Sequence, residues 1–214
     1  MPVESFEKLP AEKKEMILAA GIREFAQKSY KDVSTDVITK ECGISKGLLF
    51  HYFGSKKEYY LYCLKRSLEC LTEDAGEIGG DDFYAVIFSQ MERKMRICTE
   101  HRDEMHMVNM ASRDVSKETG AAKAELIAGY MDSVHAQSQK TLLKALGTLE
   151  LRDPDNIQKT AEALQMYTNA VMNRYLACYQ YEPDRFFENS GQIRKEMKEY
   201  LDIILHGICR EGMR

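Results

Sequence analysis

Cysteine pairs, long apolar runs and strand-like alternation are all missing from this chain. Six cysteines, at 42, 63, 70, 98, 178 and 209, never form a C-x-x-C pair and sit in helix-like segments. They read as small core hydrophobes in a reducing cytosol, which excludes a disulfide framework and a paired-cysteine zinc site. No apolar run approaches the ~18 residues of a membrane helix. Met1 to Pro10 carries Glu4 and Glu7 and no apolar h-region, so no secretory signal is expected and the protein is placed in the cytoplasm. No G-x-S-x-G, H-E-x-x-H, P-loop or paired Glu-x-x-His is found, so no catalytic residue, cofactor or enzyme activity is predicted. Prolines number only four and glycines thirteen among 214 residues, while 44% of the chain is hydrophobic and 30% charged. Such a chain can fill a core, which rules out wholesale disorder.

The formal net charge of −4 argues weakly against nucleic acid. Divided along the chain, the picture changes. Residues 1–60 hold ten Lys/Arg and nine Asp/Glu, and the remainder twenty and twenty-five. Within 40–57, Lys40, Lys46, Lys56 and Lys57 face only Glu41. An acidic body with a small basic patch suits a nucleic-acid reader whose bulk does something else, although ordinary surface variation explains so small a difference equally well.

Helical periodicity runs nearly throughout. Ile17, Gly21 and Phe25 repeat every four residues, with Leu18 and Ile22 beside them, and predict an amphipathic helix from Ala11 to Lys28. Ser34 is a good N-cap for a short helix from Thr35 to Cys42, with Asp36 in its first turn. Gly43 ends it, Ser45 caps a helix through Phe53, and Ser55 caps another from Lys56 to about Glu73. Further helices are expected over 82–100, 103–115, 117–147, 154–180 and 184–211. Asp153-Pro154 supplies a cap and a proline at a first helical position, and Pro183 separates the last two. The expected fold is all-α.

Residues 35–54 fit a helix-turn-helix. Ile38, Cys42, Ile44, Leu49 and Tyr52 occupy the inward positions, with Gly43 in the turn. That packing leaves Lys46, Gly47, Leu48, Phe50 and His51 facing outward, on a helix of a size to enter the ~12 Å major groove.

The run TDVITKECGISKGLLFHYFGSKKEYYL, Thr35 to Leu61, resembles the DNA-binding segment of TetR/AcrR-type transcriptional regulators, and ILAAGIREFAQKSY before it resembles their first helix. The resemblance covers about residues 11–62. It implies a three-helix DNA-binding domain, 1–56, followed by a larger helical ligand-binding and dimerisation domain, 57–214. By position it also implies phosphate contacts from Thr35, Tyr52 and Lys56, base-edge contacts from Lys46, Phe50 and His51, and close backbone approach at Gly47. Taken singly, each lysine reads as a solvated side chain and Tyr52 as a core residue; only together, at this spacing and between these caps, do they point to DNA contact. Four residues depart from the family's habit. Ser29 stands where glycine is usual, at a cost of about 1 kcal/mol if left-handed. Thr39 and Cys42 replace alanines, and Phe50 replaces a common tyrosine.

Beyond residue 62 the resemblance implies only a variable domain. Met91, Met95, Met107, Met110, Met131, Tyr167, Met172 and Tyr175 form a candidate pocket wall, flexible and polarizable, though the same residues suit ordinary core. Val171, Met197, Leu201, Ile204, Leu205 and Ile208 lie on apolar stripes of the last two helices and are candidates for a homodimer interface. His101 and Glu104 stand three apart with His106 following, but no second ligand cluster completes a site, and no metal is predicted. Together these features predict a ligand-responsive repressor that binds palindromic operator DNA as a homodimer and is released by a small apolar effector. Two alternatives stay open: a helical small-molecule carrier or enzyme, and a DNA-binding protein without a ligand switch.

Overall fold

A computed structural model describes residues 4–72, 78–178, 182, 185 and 188–208, without the side chains of Leu176 and Ile208. Helices follow one another with no strand among the described residues: α1 (Glu4–Glu7), α2 (Ala11–Gln27), α3 (Thr35–Glu41), α4 (Lys46–Phe53), α5 (Lys56–Cys70), α6 (Phe83–Glu100), α7 (Arg102–Arg113), α8 (Gly120–Leu146), α9 (Ile157–Cys178) and α10 (Ser190–Ile208). A single 3-10 turn, Pro154–Asn156, precedes α9.

Packing divides these helices into two units that are discontinuous in sequence. The first takes in residues up to 75 and 100–133, the second 76–99 and 134 onward. Thus α5, which lies beyond the expected boundary at 56/57, packs on α2 and α4 in the first unit.

In the first unit α2 is central and touches α3, α5 and α7. Its apolar stripe supplies Ile17, Leu18, Ile22 and Phe25, all buried, against Ile38, Leu49, Phe53, Tyr59, Leu64 and Met107. Each fully buried side chain of this size contributes about 1.5–3 kcal/mol of transfer free energy. The core is aromatic: Phe25 meets Tyr60 edge-on at 4.9 Å, and Phe53 meets Tyr59 at 4.7 Å. The short helix α1 belongs to it as well. Phe6 is completely buried, with ring centroids 4.7 Å from Phe53, 5.6 Å from Tyr52 and 5.8 Å from Tyr62.

In the second unit, Phe83 and Val86 of α6 pack with Leu142 and Leu146 of α8, Leu164 of α9, and Ile193, Met197 and Leu201 of α10. Polar pairs tie the same helices together. Tyr84 donates to Asp202, Arg194 pairs with Glu92, and Gln165 Nε2 donates to the His135 carbonyl at 3.0 Å.

Candidate nucleic-acid interface

The turn between α3 and α4 is set by its own hydrogen bonds. Gly43 is left-handed at φ 61°, a conformation that a Cβ would disfavour. Its amide bonds the Lys40 carbonyl at 3.3 Å, and the Ile44 amide bonds the Thr39 carbonyl at 3.0 Å. This paired pattern is a Schellman motif, and it satisfies carbonyls that the helix end would otherwise leave open. Two residues later Ser45 Oγ accepts the Leu48 amide at 3.1 Å and starts α4. Ser55 Oγ accepts the Glu58 amide in the same way and starts α5. Ser34 precedes α3 in an extended conformation, but its side chain makes no cap bond.

Helical spacing then sorts α4 into two faces. Leu49, Tyr52 and Phe53 are buried against the core, and Leu48 is half-buried beside them. Lys46, Gly47 and His51 are exposed, and Phe50 is half-buried between them. Nothing within the protein requires glycine at 47. A Cβ there would meet only Ser45 Oγ at 3.9 Å, an ordinary contact. Glycine near a helix start costs up to about 1 kcal/mol relative to alanine, and no internal contact offsets that cost.

Lys46 Nζ pairs with Asp36 Oδ2 at 3.0 Å, both side chains being well exposed. Such a pair is worth about 0–1 kcal/mol, so the ammonium is readily surrendered to a stronger anion. Arg23 pairs with Glu41, which partly neutralises the acidic residue of the basic patch. The Glu41 bond also raises the Arg23 pKa. His51 Nε2 lies 3.2 Å from Ser5 Oγ, a hydrogen bond that ties α1 to the exposed face of α4.

Three of the expected contact residues have additional structural work. Thr35 is only 6% exposed at the first position of α3. Tyr52 is also 6% exposed, its ring held against Phe6. Lys56 donates to the carbonyls of Val33 at 2.6 Å and Lys31 at 3.3 Å and sits 4.8 Å over the Tyr30 ring. Burial lowers its pKa, opposed by Glu118 and Asp32. This ammonium closes the 29–33 loop onto the start of α5, a role the linear sequence does not advertise. Ser29 within that loop is not left-handed, so the cost attached to replacing glycine does not arise. Its hydroxyl donates to Asp32 Oδ2 at 2.5 Å instead.

The expected pocket residues fall in both units. Met107, Met110 and Met131 are in the first, where Met107 is completely buried and accepts from Ser67 Oγ at 3.5 Å, while Met131 is 56% exposed. Met91, Met95, Tyr167, Met172 and Tyr175 are in the second, and Met91, Tyr167 and Met172 pack partly buried against the core containing Tyr175. A surface cavity of about 510 Å³ in the first unit is lined by Phe6, Lys14, Leu18, Tyr62 and Arg66, among others, and by none of these eight.

Among the expected interface residues, Val171, Met197 and Leu201 are buried in the core of their own unit, and Ile204 and Leu205 are half-buried against it. The Ile208 side chain lies outside the described residues. Among the described residues of α9 and α10, the exposed large apolar side chains are Met166, at 68%, and Ile203, at 69%. Sequence periodicity gives the stripe but does not say which of its flanks the monomer consumes.

Residues 17–62 match the family described as bacterial regulatory proteins, tetR family. Over 209 residues the chain is 23% identical to YerO, an uncharacterized HTH-type transcriptional regulator of Bacillus subtilis (strain 168), covering 94% of this chain and 68% of that protein. A second B. subtilis protein of the same description, YuxN, is 43% identical over 53 residues, 25% of this chain and 18% of its own length. Among solved structures, a TetR family transcriptional regulator from Chloroflexus aurantiacus J-10-FL is similar in fold, with a TM-score of 0.61 at 21% identity, covering 99% of this chain and 100% of that one. The SmeT–triclosan complex is similar at a TM-score of 0.57 and 16% identity, covering 94% and 93%. No described helix is long and apolar enough to cross a membrane.

Proposed function

We propose, from an N-terminal segment that matches the tetR family of bacterial regulatory proteins, a cytoplasmic, ligand-responsive transcriptional repressor that binds palindromic operator DNA as a homodimer. The observation that carries this reading is the sorting of α4. Leu49, Tyr52 and Phe53 anchor it, while Lys46, Gly47 and His51 are exposed on the opposite face with Phe50 half-buried between them. Lys46 leaves Asp36 for a guanine edge or a phosphate, Phe50 meets a thymine methyl, and His51 faces a base. The Thr35 amide, the edge of Tyr52 and Lys56 at the start of α5 hold phosphates, assisted by the helix N-termini.

Two-fold symmetry places the two reading helices about one turn, ~34 Å, apart or somewhat more. Met166 and Ile203 give α9 and α10 an exposed apolar surface on which Ile204 and Leu205 can also draw. A small apolar effector enters among Met91, Met95, Tyr167, Met172 and Tyr175, in keeping with the triclosan complex of the structural neighbour SmeT. For release, the effector must favour the non-binding state by a coupling of about 1–3 kcal/mol or more.

The test is the double variant Lys46→Ala, Phe50→Ala. It is expected to lose operator binding while keeping its dimeric state and thermal midpoint, since both side chains are at least partly open to solvent. Loss of the fold, or undiminished operator binding, contradicts the assignment of this face.

A further inference from the structure

The sequence brings His101 and Glu104 onto one helical face and stops there; the fold adds Cys70. This cysteine is the last residue of α5, and His101 and Glu104 open α7. The two helices pack together in the first unit, and their register is fixed by Ser67 Oγ donating to Met107 Sδ at 3.5 Å. One turn beyond that contact, three residues on from Ser67 and three back from Met107, stand Cys70 and Glu104. A further turn back along α7 stands His101. One thiol sulfur, one imidazole nitrogen and one carboxylate oxygen from these residues lie within 4.8 Å of one another.

His101 and Glu104 are not committed to each other in a way that accounts for the arrangement. His101 occupies the N-cap position of α7 but makes no side-chain cap bond. Its Nδ1 is 3.9 Å from Glu104 Oε2, too long for a hydrogen bond. As an ion pair it is weak, because the two side chains are 40% and 22% exposed. Cys70 is half-buried. His106, two residues past Glu104, is turned about 200° around the helix and takes no part.

We propose that Cys70, His101 and Glu104 form a three-ligand site for a divalent transition-metal ion of the zinc class. The donor set selects that class. Calcium and magnesium take oxygen ligands, whereas thiolate, imidazole and carboxylate together suit zinc. Zn–S near 2.3 Å and Zn–N near 2.0 Å in tetrahedral geometry put neighbouring ligand atoms roughly 3.3–3.8 Å apart. Side-chain rotation of about 1 Å closes the present spacing to that range. Three protein ligands leave a fourth position for water or a further donor, and the partial exposure of all three gives the ion a path in. The bound ion joins the C-terminus of α5 to the N-terminus of α7 and thereby raises the thermal stability of the first unit. The inference is independent of the proposed DNA and effector sites.

The test uses the full chain, freed of metal by chelation, titrated with Co²⁺ followed by absorption and then with Zn²⁺ against a chromophoric chelator. One equivalent per chain is expected, with a thiolate-to-cobalt charge-transfer band and the intense visible bands of a tetrahedral ion. Cys70→Ser should abolish the thiolate band. Cys70→Ser and His101→Gln should each weaken Zn²⁺ binding by roughly a hundredfold or more, and Glu104→Gln by about tenfold. Circular dichroism of all three variants should match the parent, and zinc should raise the thermal midpoint of the parent but not of Cys70→Ser. Absence of a thiolate band, its persistence in Cys70→Ser, or its loss only in Cys178→Ser or Cys209→Ser overturns the proposal.

Discussion

Two helical glycines of the first unit have opposite surroundings. A Cβ on Gly21 of α2 would lie 2.2 Å from Tyr59 Oη, 2.6 Å from its Cζ and 2.9 Å from Cys63 Sγ. Tyr59 cannot easily yield, because it is fully buried and its hydroxyl donates to the Ile17 carbonyl at 2.5 Å. Gly21→Ala is therefore expected to destabilise the first unit by about 2 kcal/mol, overpacking outweighing the gain in helix propensity. Gly47 has open space where its Cβ would be. Gly47→Ala should leave stability unchanged or raise it by up to about 1 kcal/mol, and yet weaken operator binding. Chemical denaturation and DNA titration of both variants check the pair; equal stability effects at the two sites would contradict the distinction. Pattern alone placed Gly21 on the apolar stripe of α2, but the contact with Tyr59, thirty-eight residues away, comes only from the fold. Lys56 shows the same limit: the family resemblance implies a phosphate contact for it, whereas its bonds to the Val33 and Lys31 carbonyls depend on a loop closure that no local pattern encodes.

At the scale of elements, the helix α1 matters more than its four residues suggest. Phe6 is completely buried among Tyr52, Phe53 and Tyr62, and Ser5 reaches His51 on the reading helix. Phe6→Ala should cost about 3 kcal/mol, the range for truncating a buried phenylalanine, read as a fall in the denaturation midpoint; an unchanged midpoint would show that α1 does not dock. Helices α3 to α5 are legible because of their punctuation: Gly43 in a Schellman turn ends α3, and Ser45 and Ser55 start α4 and α5 as caps whose bonds are formed. Where punctuation is weak, the ends moved. The helix expected to reach Glu73 ends at Cys70, and Pro154 opens a 3-10 turn ahead of α9 rather than the helix itself. The helix α1 escaped notice since a single phenylalanine among charged residues has no periodicity to read. Cys70 was likewise invisible as a partner of His101, because ligand spacing in sequence does not register two helices packed side by side.

For the whole molecule, the all-α class followed from the near absence of strand patterning, and the structure has no strand among the described residues. The division of labour was less legible. Packing groups α5, α7 and part of α8 with the N-terminal helices, so the first unit is discontinuous in sequence, and a boundary drawn from local motifs at 56/57 cannot express that. The exposed face of α4 is legible because its caps and its helical spacing are local properties. Which flanks of α9 and α10 stay exposed is not legible in the sequence, since Val171, Met197 and Leu201 are buried in the core of their own unit. The central claim, a symmetric sequence reader built on α4, is tested most directly by selecting bound duplexes from a random DNA pool with the purified full chain at two salt concentrations. A two-fold symmetric consensus with half-sites about one helical turn apart or somewhat more is the expected result. Absence of any enriched sequence, with binding that only falls steeply as salt rises, would contradict it.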